Sequence, residues 1–184
     1  MFHILIAVFW FIFIGSWVVH SFEARQSKTK SKYPMLRFVL VTALMFIVFN
    51  VESIRPWLQY QFFPDNPYVQ ILGVIICAAG VMLAVDARNH LGKNWGLPMD
   101  EKESPDLITA GPYQFVRHPI YTGIALATVG SMLTSGLVWL VWLCISLPYF
   151  VYSALKEEKR MLVQFPDTYP AYKKRSKMFI PFIL

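Results

Sequence analysis

Five apolar stretches, each near the length of a bilayer crossing, constrain this chain more than any other feature. They run from about Phe2 to His20, Met35 to Ile54, Tyr68 to Asp86, Pro119 to Ser135 and Leu137 to Leu155. Crossing about 30 Å of hydrocarbon at about 1.5 Å per residue takes roughly 20 residues. Inside hydrocarbon the backbone must satisfy its own hydrogen bonds, so each stretch is predicted to be a helix. A hydrophobic share of 56% against 15% charged residues excludes an ordinary soluble domain. The expected fold class is therefore all-α: a polytopic integral membrane protein of about five transmembrane helices. The first stretch reads as a span rather than a signal peptide, because no basic residue precedes it and no small-residue cleavage pattern follows. The last two stretches meet at Ser135-Gly136, too short a link for a solvated loop, and predict a tight helical hairpin that need not reach the far headgroups.

The basic residues sort by side. Arg25, Lys28, Lys30, Lys32 and Arg37 flank the first connection, Arg88, Lys93, Lys102 and Arg117 lie between the third and fourth stretches, and the rest occupy Lys156 to Lys177. Arg55 is the single exception among 17 Lys and Arg residues. That asymmetry predicts a cytoplasmic C-terminus and an external N-terminus. The net charge of +6 is accounted for by topology and by anionic lipid headgroups, and calls for no nucleic acid. Trp57, Tyr60, Phe62 and Phe63, beside Pro64 and Pro67, read as an interfacial aromatic belt. Cys77 and Cys144 lie in apolar stretches at no metal-ligand spacing, so neither a metal site nor a disulfide is expected. No repeat or linker interrupts the chain, and no pattern specifies an oligomer. One domain over residues 1–184 is expected, with two N-terminal spans in 1–54 and a core in 68–184.

Function must then reside in the polar segments. Residues 87–118 and 156–184 are interrupted by Trp95, Tyr113, Phe115, Phe165, Tyr169, Tyr172, Phe179 and Phe182, more aromatics than solvated tails carry, and are expected to fold against each other beneath the hairpin. In Gly111-Pro112-Tyr113-Gln114-Phe115-Val116-Arg117-His118-Pro119-Ile120-Tyr121, a Pro-restrained, charge-bearing lead-in opens directly into an apolar stretch. Glu157-Glu158 closes the hairpin at its other foot. A chain that enters the bilayer at Pro119 and returns by Leu155 brings Arg117 and His118 close to Glu157 and Glu158. Such groups suit a ligand that is zwitterionic at one end and aromatic at the other, as S-adenosylmethionine is. Arg117 and His118 can meet a carboxylate, Glu157 an ammonium or ribose hydroxyls, and Tyr113 or Tyr121 a ring or sulfonium. The alternative is that Arg117 and Glu158 only pair at the membrane boundary and anchor helix ends.

The ordered set Gly92 and Trp95, Leu107-Ile108-Thr109-x-Gly111-Pro112-Tyr113, Arg117-His118-Pro119-x-Tyr121-x-Gly123, and Glu157-Glu158 followed by Phe165, Tyr169, Tyr172 and Ile180-Pro181 resembles the isoprenylcysteine carboxyl methyltransferase family. The resemblance extends to its bacterial relatives and to the wider group that includes phospholipid N-methyltransferases. It covers roughly the C-terminal half; the first two stretches match only in being apolar. It implies a membrane methyltransferase, of a bacterial inner membrane, that holds S-adenosylmethionine between the cytoplasmic segments and the hairpin and takes a lipid-like small-molecule acceptor from the bilayer. Implied donor contacts are Pro105, Asp106, Leu107, Ile108, Tyr113, His118, Pro119, Ile120, Tyr121 and Glu157, with Arg117, His118 and Glu158 as the implied catalytic groups. Two departures stand out: Pro105-Asp106 replaces a His or Lys common in the family, and Tyr149-Phe150-Val151-Tyr152-Ser153-Ala154 lacks the Arg that the prenylcysteine enzymes carry before the double Glu. The acceptor thus stays open between a prenylcysteine-like carboxylate and a phospholipid amine or hydrophobic thiol. Outside that chemistry stand a non-catalytic lipid-binding protein and a sterol-reductase-like protein, the latter lacking a Gly-rich dinucleotide turn here.

Overall fold

The structure is a computed structural model that describes residues 1–21, 55–58, 60–63, 66–94 and 106–183. The second expected span, Met35 to Ile54, lies outside the described residues, as do Trp95 and Pro105. The described chain is helical: α1 (Phe2–Ser21), a single turn at Arg55–Leu58, α2 (Pro67–Leu91), α3 (Pro119–Ser135), α4 (Leu137–Gln164) and α5 (Tyr169–Arg175). Short 3-10 turns cover Gly92–Asn94 and Gly111–Gln114.

Local chemistry sets the helix ends. Asn66 caps α2, its side-chain oxygen accepting from the backbone N–H groups of Tyr68 (3.1 Å) and Val69 (3.2 Å), and Pro67 takes the first position, where no N–H is needed. α2 runs past the expected Asp86 to Leu91, because Arg88 is fully buried and donates to the Gly92 carbonyl at 2.9 Å, capping the exit. Gly136, at φ +88, makes the reversal between α3 and α4 that a residue with a Cβ would resist. Its fold is pinned by the Leu137 N–H donating to the Tyr60 carbonyl at 2.9 Å.

Among the described residues three helices are long and apolar enough to cross a membrane: Phe2–Val19, Pro67–Leu91 and Leu137–Gln164. α3 has 17 residues, about 25 Å, which is less than the hydrocarbon thickness and fits a hairpin that stops short of the far headgroups. α4 has 28 residues and extends past the expected Leu155 into Glu157-Glu158 and beyond, so the double Glu sits on a continuing helix rather than at a frayed end. The polarity is inside out. Phe11 (80% exposed), Ile145 and Met82 face outward, while Thr128, Ser131 and Ser153 are fully buried. Two of these buried hydroxyls return their protons to their own helix, Thr128 to the Ile124 carbonyl and Ser131 to the Ala127 carbonyl, each at 2.8 Å.

α3 shares its longest interface with α2, rather than with its hairpin partner α4. The helices run antiparallel along a seam of small residues: Gly73, Cys77, Gly80 and Ala84 face Gly123, Ala127, Gly130 and Thr134. A Cβ at any of the four glycines would lie under 3.0 Å from backbone atoms of the opposite helix. Lipid and Leu are equally apolar, so helices here gain by close packing, and glycine is what permits the approach. α1 closes the third side. Ile6, Phe9, Trp10 and Phe13 pack on Cys77, Val81 and Ala127, and the Trp10 indole N–H donates to Ser131 Oγ at 3.0 Å. Trp139 of α4 stacks on Trp10 at 5.2 Å, which makes it a packing residue. His3 and Ser135 bond at 3.0 Å, so the N-terminus lies at the hairpin-tip end and the Glu157-Glu158 end lies opposite.

Gly123→Val is expected to wedge this seam apart and to destabilise the fold by about 1–3 kcal/mol or more. Gly15→Ala on α1, where nothing lies within 4 Å of an added Cβ, should be neutral. Thermal melting of the two variants in detergent reads the difference.

Candidate functional site

The lead-in to α3 is held by the C-terminal segment, as the aromatic content of both had suggested. Gly111, at φ +58, turns the chain tightly over the His90 ring, and Pro112 starts the 3-10 turn that delivers Tyr113 into the interior, 7% exposed. Val116 and Lys177 then form a short parallel bridge: the Arg117 N–H donates to the Lys177 carbonyl at 2.8 Å and the Lys177 N–H to the Phe115 carbonyl at 3.0 Å. The His118 N–H follows, donating to the Met178 carbonyl at 3.1 Å, and Thr122 Oγ1 donates to the Phe179 carbonyl at 2.8 Å. The Tyr172 hydroxyl of α5 donates to the Tyr113 carbonyl at 2.7 Å. Five successive polar ties thus fasten residues 113–122 to 172–179.

Against this frame sits Glu157-Glu158. Adjacent helical residues point about 100° apart, and the two carboxylates accordingly have different neighbours. Glu158 is 2% exposed and is gripped from two sides, by Arg117 Nε at 2.6 Å on one oxygen and by Lys173 Nζ at 2.6 Å on the other. The Arg117 guanidinium also donates to the carbonyls of Lys173 and Ser176. Glu157 keeps 26% exposure; it accepts from the Tyr121 hydroxyl at 2.6 Å and lies 3.4 Å from His118 Nδ1. His118 bridges the pair, with Nε2 at 3.6 Å from Glu158. Its ring stacks on Tyr121 (5.7 Å, 14° between planes), Tyr121 stacks in turn on Phe150 of α4 (5.0 Å, 10°), and Phe179 lies 5.8 Å from His118. The arrangement offers a part-exposed carboxylate, an imidazole beside two carboxylates and an aromatic wall.

A family model for phospholipid methyltransferases matches residues 68–167, from the start of α2 to just past the end of the double-Glu helix. The chain belongs to the phospholipid methyltransferase family. Within it, the protein-S-isoprenylcysteine O-methyltransferase of Xenopus laevis is 24% identical over 146 residues, which is 73% of this chain and 51% of that protein. The same enzyme of Dictyostelium discoideum is 26% identical over 142 residues, 71% of this chain and 58% of its own. The chain spans about half the length of the curated relatives it matches. The solved structure of the eukaryotic intramembrane Ras methyltransferase ICMT superimposes with a TM-score of 0.57 at 24% identity, covering 84% of this chain and 55% of that one. At that identity the likeness is one of fold. The chain is thus an integral membrane protein with helical spans, a member of a family of membrane methyltransferases.

The family motif residues fall into two groups in the fold. Arg117, His118, Tyr121, Glu157 and Glu158 meet in one cluster, with Pro119 buried at the start of α3 and Ile120 half-buried beside it. Leu107 and Ile108 are half-buried, and Asp106 is exposed and tied to the turn that ends α2, its N–H donating to Asn94 Oδ1 at 3.0 Å. Sequence reasoning missed Lys173, Ser176 and Phe150. The only signal for Lys173 was its place in the run Lys173-Lys174-Arg175, which reads as a solvated patch. Among the described residues no group of three or more His, Cys, Asp or Glu side chains is placed to hold a metal ion.

Burial raises the tyrosine phenols of the frame, Tyr113 well above its usual value and Tyr172 to about 12, so both stay neutral. Burial opposes protonation of His118, but Glu157 and Glu158 outweigh it and hold the imidazole above its ordinary pKa. A raised folded-state value means that His118 stabilises fully below about pH 6.5, the unfolded value, and that this contribution disappears as pH rises through the folded value. Melting temperature measured across that window should fall for the native chain and change less for His118→Gln.

Proposed function

We propose that this family member transfers a methyl group from S-adenosylmethionine to a small acceptor dissolved in the membrane. The observation that carries the reading is Glu157: a carboxylate with a solvent-reachable edge, oriented by a phenol and an imidazole, in a fold whose family is one of methyltransferases. The residues fit the donor. Glu157 offers acceptors for an ammonium or ribose hydroxyls, His118 a cation for a carboxylate, and the Tyr121 ring a face for a sulfonium. Tyr113, Pro119 and Ile120 line the same lead-in, and we assign Asp106, Leu107 and Ile108 to the donor through backbone groups. S-adenosylmethionine supplies a methyl carbon on a sulfonium for in-line displacement. The chain's own part is to align the partners and keep water out, which the Phe150 and Phe179 rings beside Tyr121 and His118 serve. We assign Arg117 and Glu158, each committed to the other, to positioning this frame rather than to touching the reacting atoms.

One observation favours a neutral or amine acceptor over a prenylcysteine-like carboxylate. From Pro119 to Leu155 neither α3 nor α4 carries a Lys or Arg, and Arg117 is spent on Glu158. An acceptor arriving between these helices meets aromatics and hydroxyls before it meets a cation. An amine or thiol must shed a proton before transfer and a carboxylate need not. With the amine of phosphatidylethanolamine as acceptor, turnover should therefore climb with pH between about 6 and 9, whereas a carboxylate acceptor would give no such climb. The charge asymmetry supports an N-terminus outside and the site at the cytoplasmic face, and the resemblance to bacterial relatives supports a bacterial inner membrane.

Calorimetric titration of S-adenosylmethionine and S-adenosylhomocysteine into the full chain in nanodiscs tests the donor site. Binding is expected in the native protein and at least about tenfold weaker in Glu157→Ala and His118→Ala, a loss of about 1.4 kcal/mol or more. No binding by the native protein overturns the reading.

A further inference from the structure

The last residues of the chain play two roles at once. The backbone of Lys177, Met178 and Phe179 walls the site, accepting from the Arg117 and His118 N–H groups and from the Thr122 hydroxyl. The residues that follow turn away. The Ile183 N–H donates to the Ile180 carbonyl at 3.2 Å, closing a turn with Pro181 and Phe182 at its centre. Phe182 sits at φ +67, a left-handed conformation that a bulky residue adopts at a cost and that glycine usually fills in such a turn. The turn presents Ile180 (47% exposed), Phe182 (85%) and Ile183 (76%) outward together.

The level of this tip in the molecule is set by its anchors. Thr122 belongs to the first turn of α3, the point at which the chain enters its apolar helix, and Phe179 is bonded to it. The tip therefore emerges at the depth where headgroup gives way to hydrocarbon. Immediately before it in sequence come Lys174, Arg175 and Lys177, all exposed. Apolar side chains at the boundary beside exposed cations match an anionic lipid surface, in which the rings enter the acyl margin and the cations meet phosphates. We propose that Ile180–Ile183 is a membrane-docking tip for anionic headgroups, and that its docking steadies the wall formed by residues 177–179. The second half of the proposal rests on the donor-site reading above; the first half does not.

Depth at Phe182 decides the first half. A spin label on Phe182→Cys in a Cys144→Ala background, with Cys77 buried and unreactive, is reconstituted as the full chain in phosphatidylcholine vesicles with and without phosphatidylglycerol. Expected is greater collision with oxygen than with a water-soluble nickel chelate, the reverse of a label at the exposed turn residue Asp167, and deeper immersion when phosphatidylglycerol is present. That gain should vanish in Lys174→Gln/Arg175→Gln/Lys177→Gln. A label at 182 that the chelate reaches as freely as at 167 overturns the proposal, as does one shielded from both reagents, which would mark a protein partner, or one indifferent to phosphatidylglycerol. For the second half, Ile180→Ser/Phe182→Ser/Ile183→Ser should weaken S-adenosylmethionine binding in anionic nanodiscs by about fivefold, at the low end of coupling between linked sites, with an unchanged melting temperature. An unchanged Kd overturns the coupling. If the native chain binds no donor, the donor-site reading fails while the depth measurement still decides the tip.

Discussion

The two-sided grip on Glu158 is the interaction on which the rest of the site depends. A carboxylate 2% exposed at the edge of a bilayer is costly unless its charge is met, and it is met by Arg117 from the lead-in to α3 and by Lys173 from α5. Those partners come from two segments far apart in sequence. By holding both, Glu158 joins the foot of the hairpin to the C-terminal helix, and the backbone ties from Tyr113 to Phe179 follow from that closure. Lys173 is itself 44% exposed, so its share is screened by water; the Arg117 pair, buried on both sides, carries more of the attraction. With Glu158 occupied, Glu157 is left as the carboxylate with a free edge, and the division of labour between two adjacent identical residues arises from which one packing turns inward.

The hydrocarbon sets the other constraint. A soluble core would bury Phe11 and Ile145 and expose Thr128 and Ser131, and here the reverse holds. Without a hydrophobic drive between helices, α2 and α3 are held by closeness of backbones across the glycine seam and by hydroxyls that bond within their own turns. The seam matters to the site because it sets where α3 begins. Gly123 lies one turn from His118 and packs against Ala84, so the depth at which the His118–Pro119 corner meets the membrane is fixed by α2 rather than by the hairpin.

Much of this was legible beforehand. Apolar length marked α1, α2 and the hairpin, since hydrocarbon thickness is a constant against which a stretch of residues can be measured. The hairpin at Gly136 brought Arg117 and His118 to Glu157 and Glu158, because a chain that leaves and re-enters one face must close at its feet. The excess of aromatics in the polar segments announced that these segments fold together. Less was legible where contact joins distant residues. Gly73 and Gly80 share a spacing of seven with Gly123 and Gly130, yet that spacing alone does not say which helix faces which, and adjacency in sequence favoured α4 as the partner of α3. The ends of α2 and α4 ran longer than hydropathy indicated, since Arg88 and Glu158 are polar groups made tolerable inside by their partners.

What the sequence by itself determined is the class of molecule and the inventory of its polar cluster: helices matched to a bilayer, and an ordered set of polar and aromatic residues with family-specific spacing. These are one-dimensional quantities, set by length, composition and order. What only the tertiary structure decided is the pairing: that Arg117 is committed to Glu158, that Lys173 shares it, that Glu157 keeps an open edge, and that Phe182 is left exposed. The reason is geometric. A helix places adjacent side chains about 100° apart, and the phase of that rotation is set by what packs against the helix rather than by the residues on it.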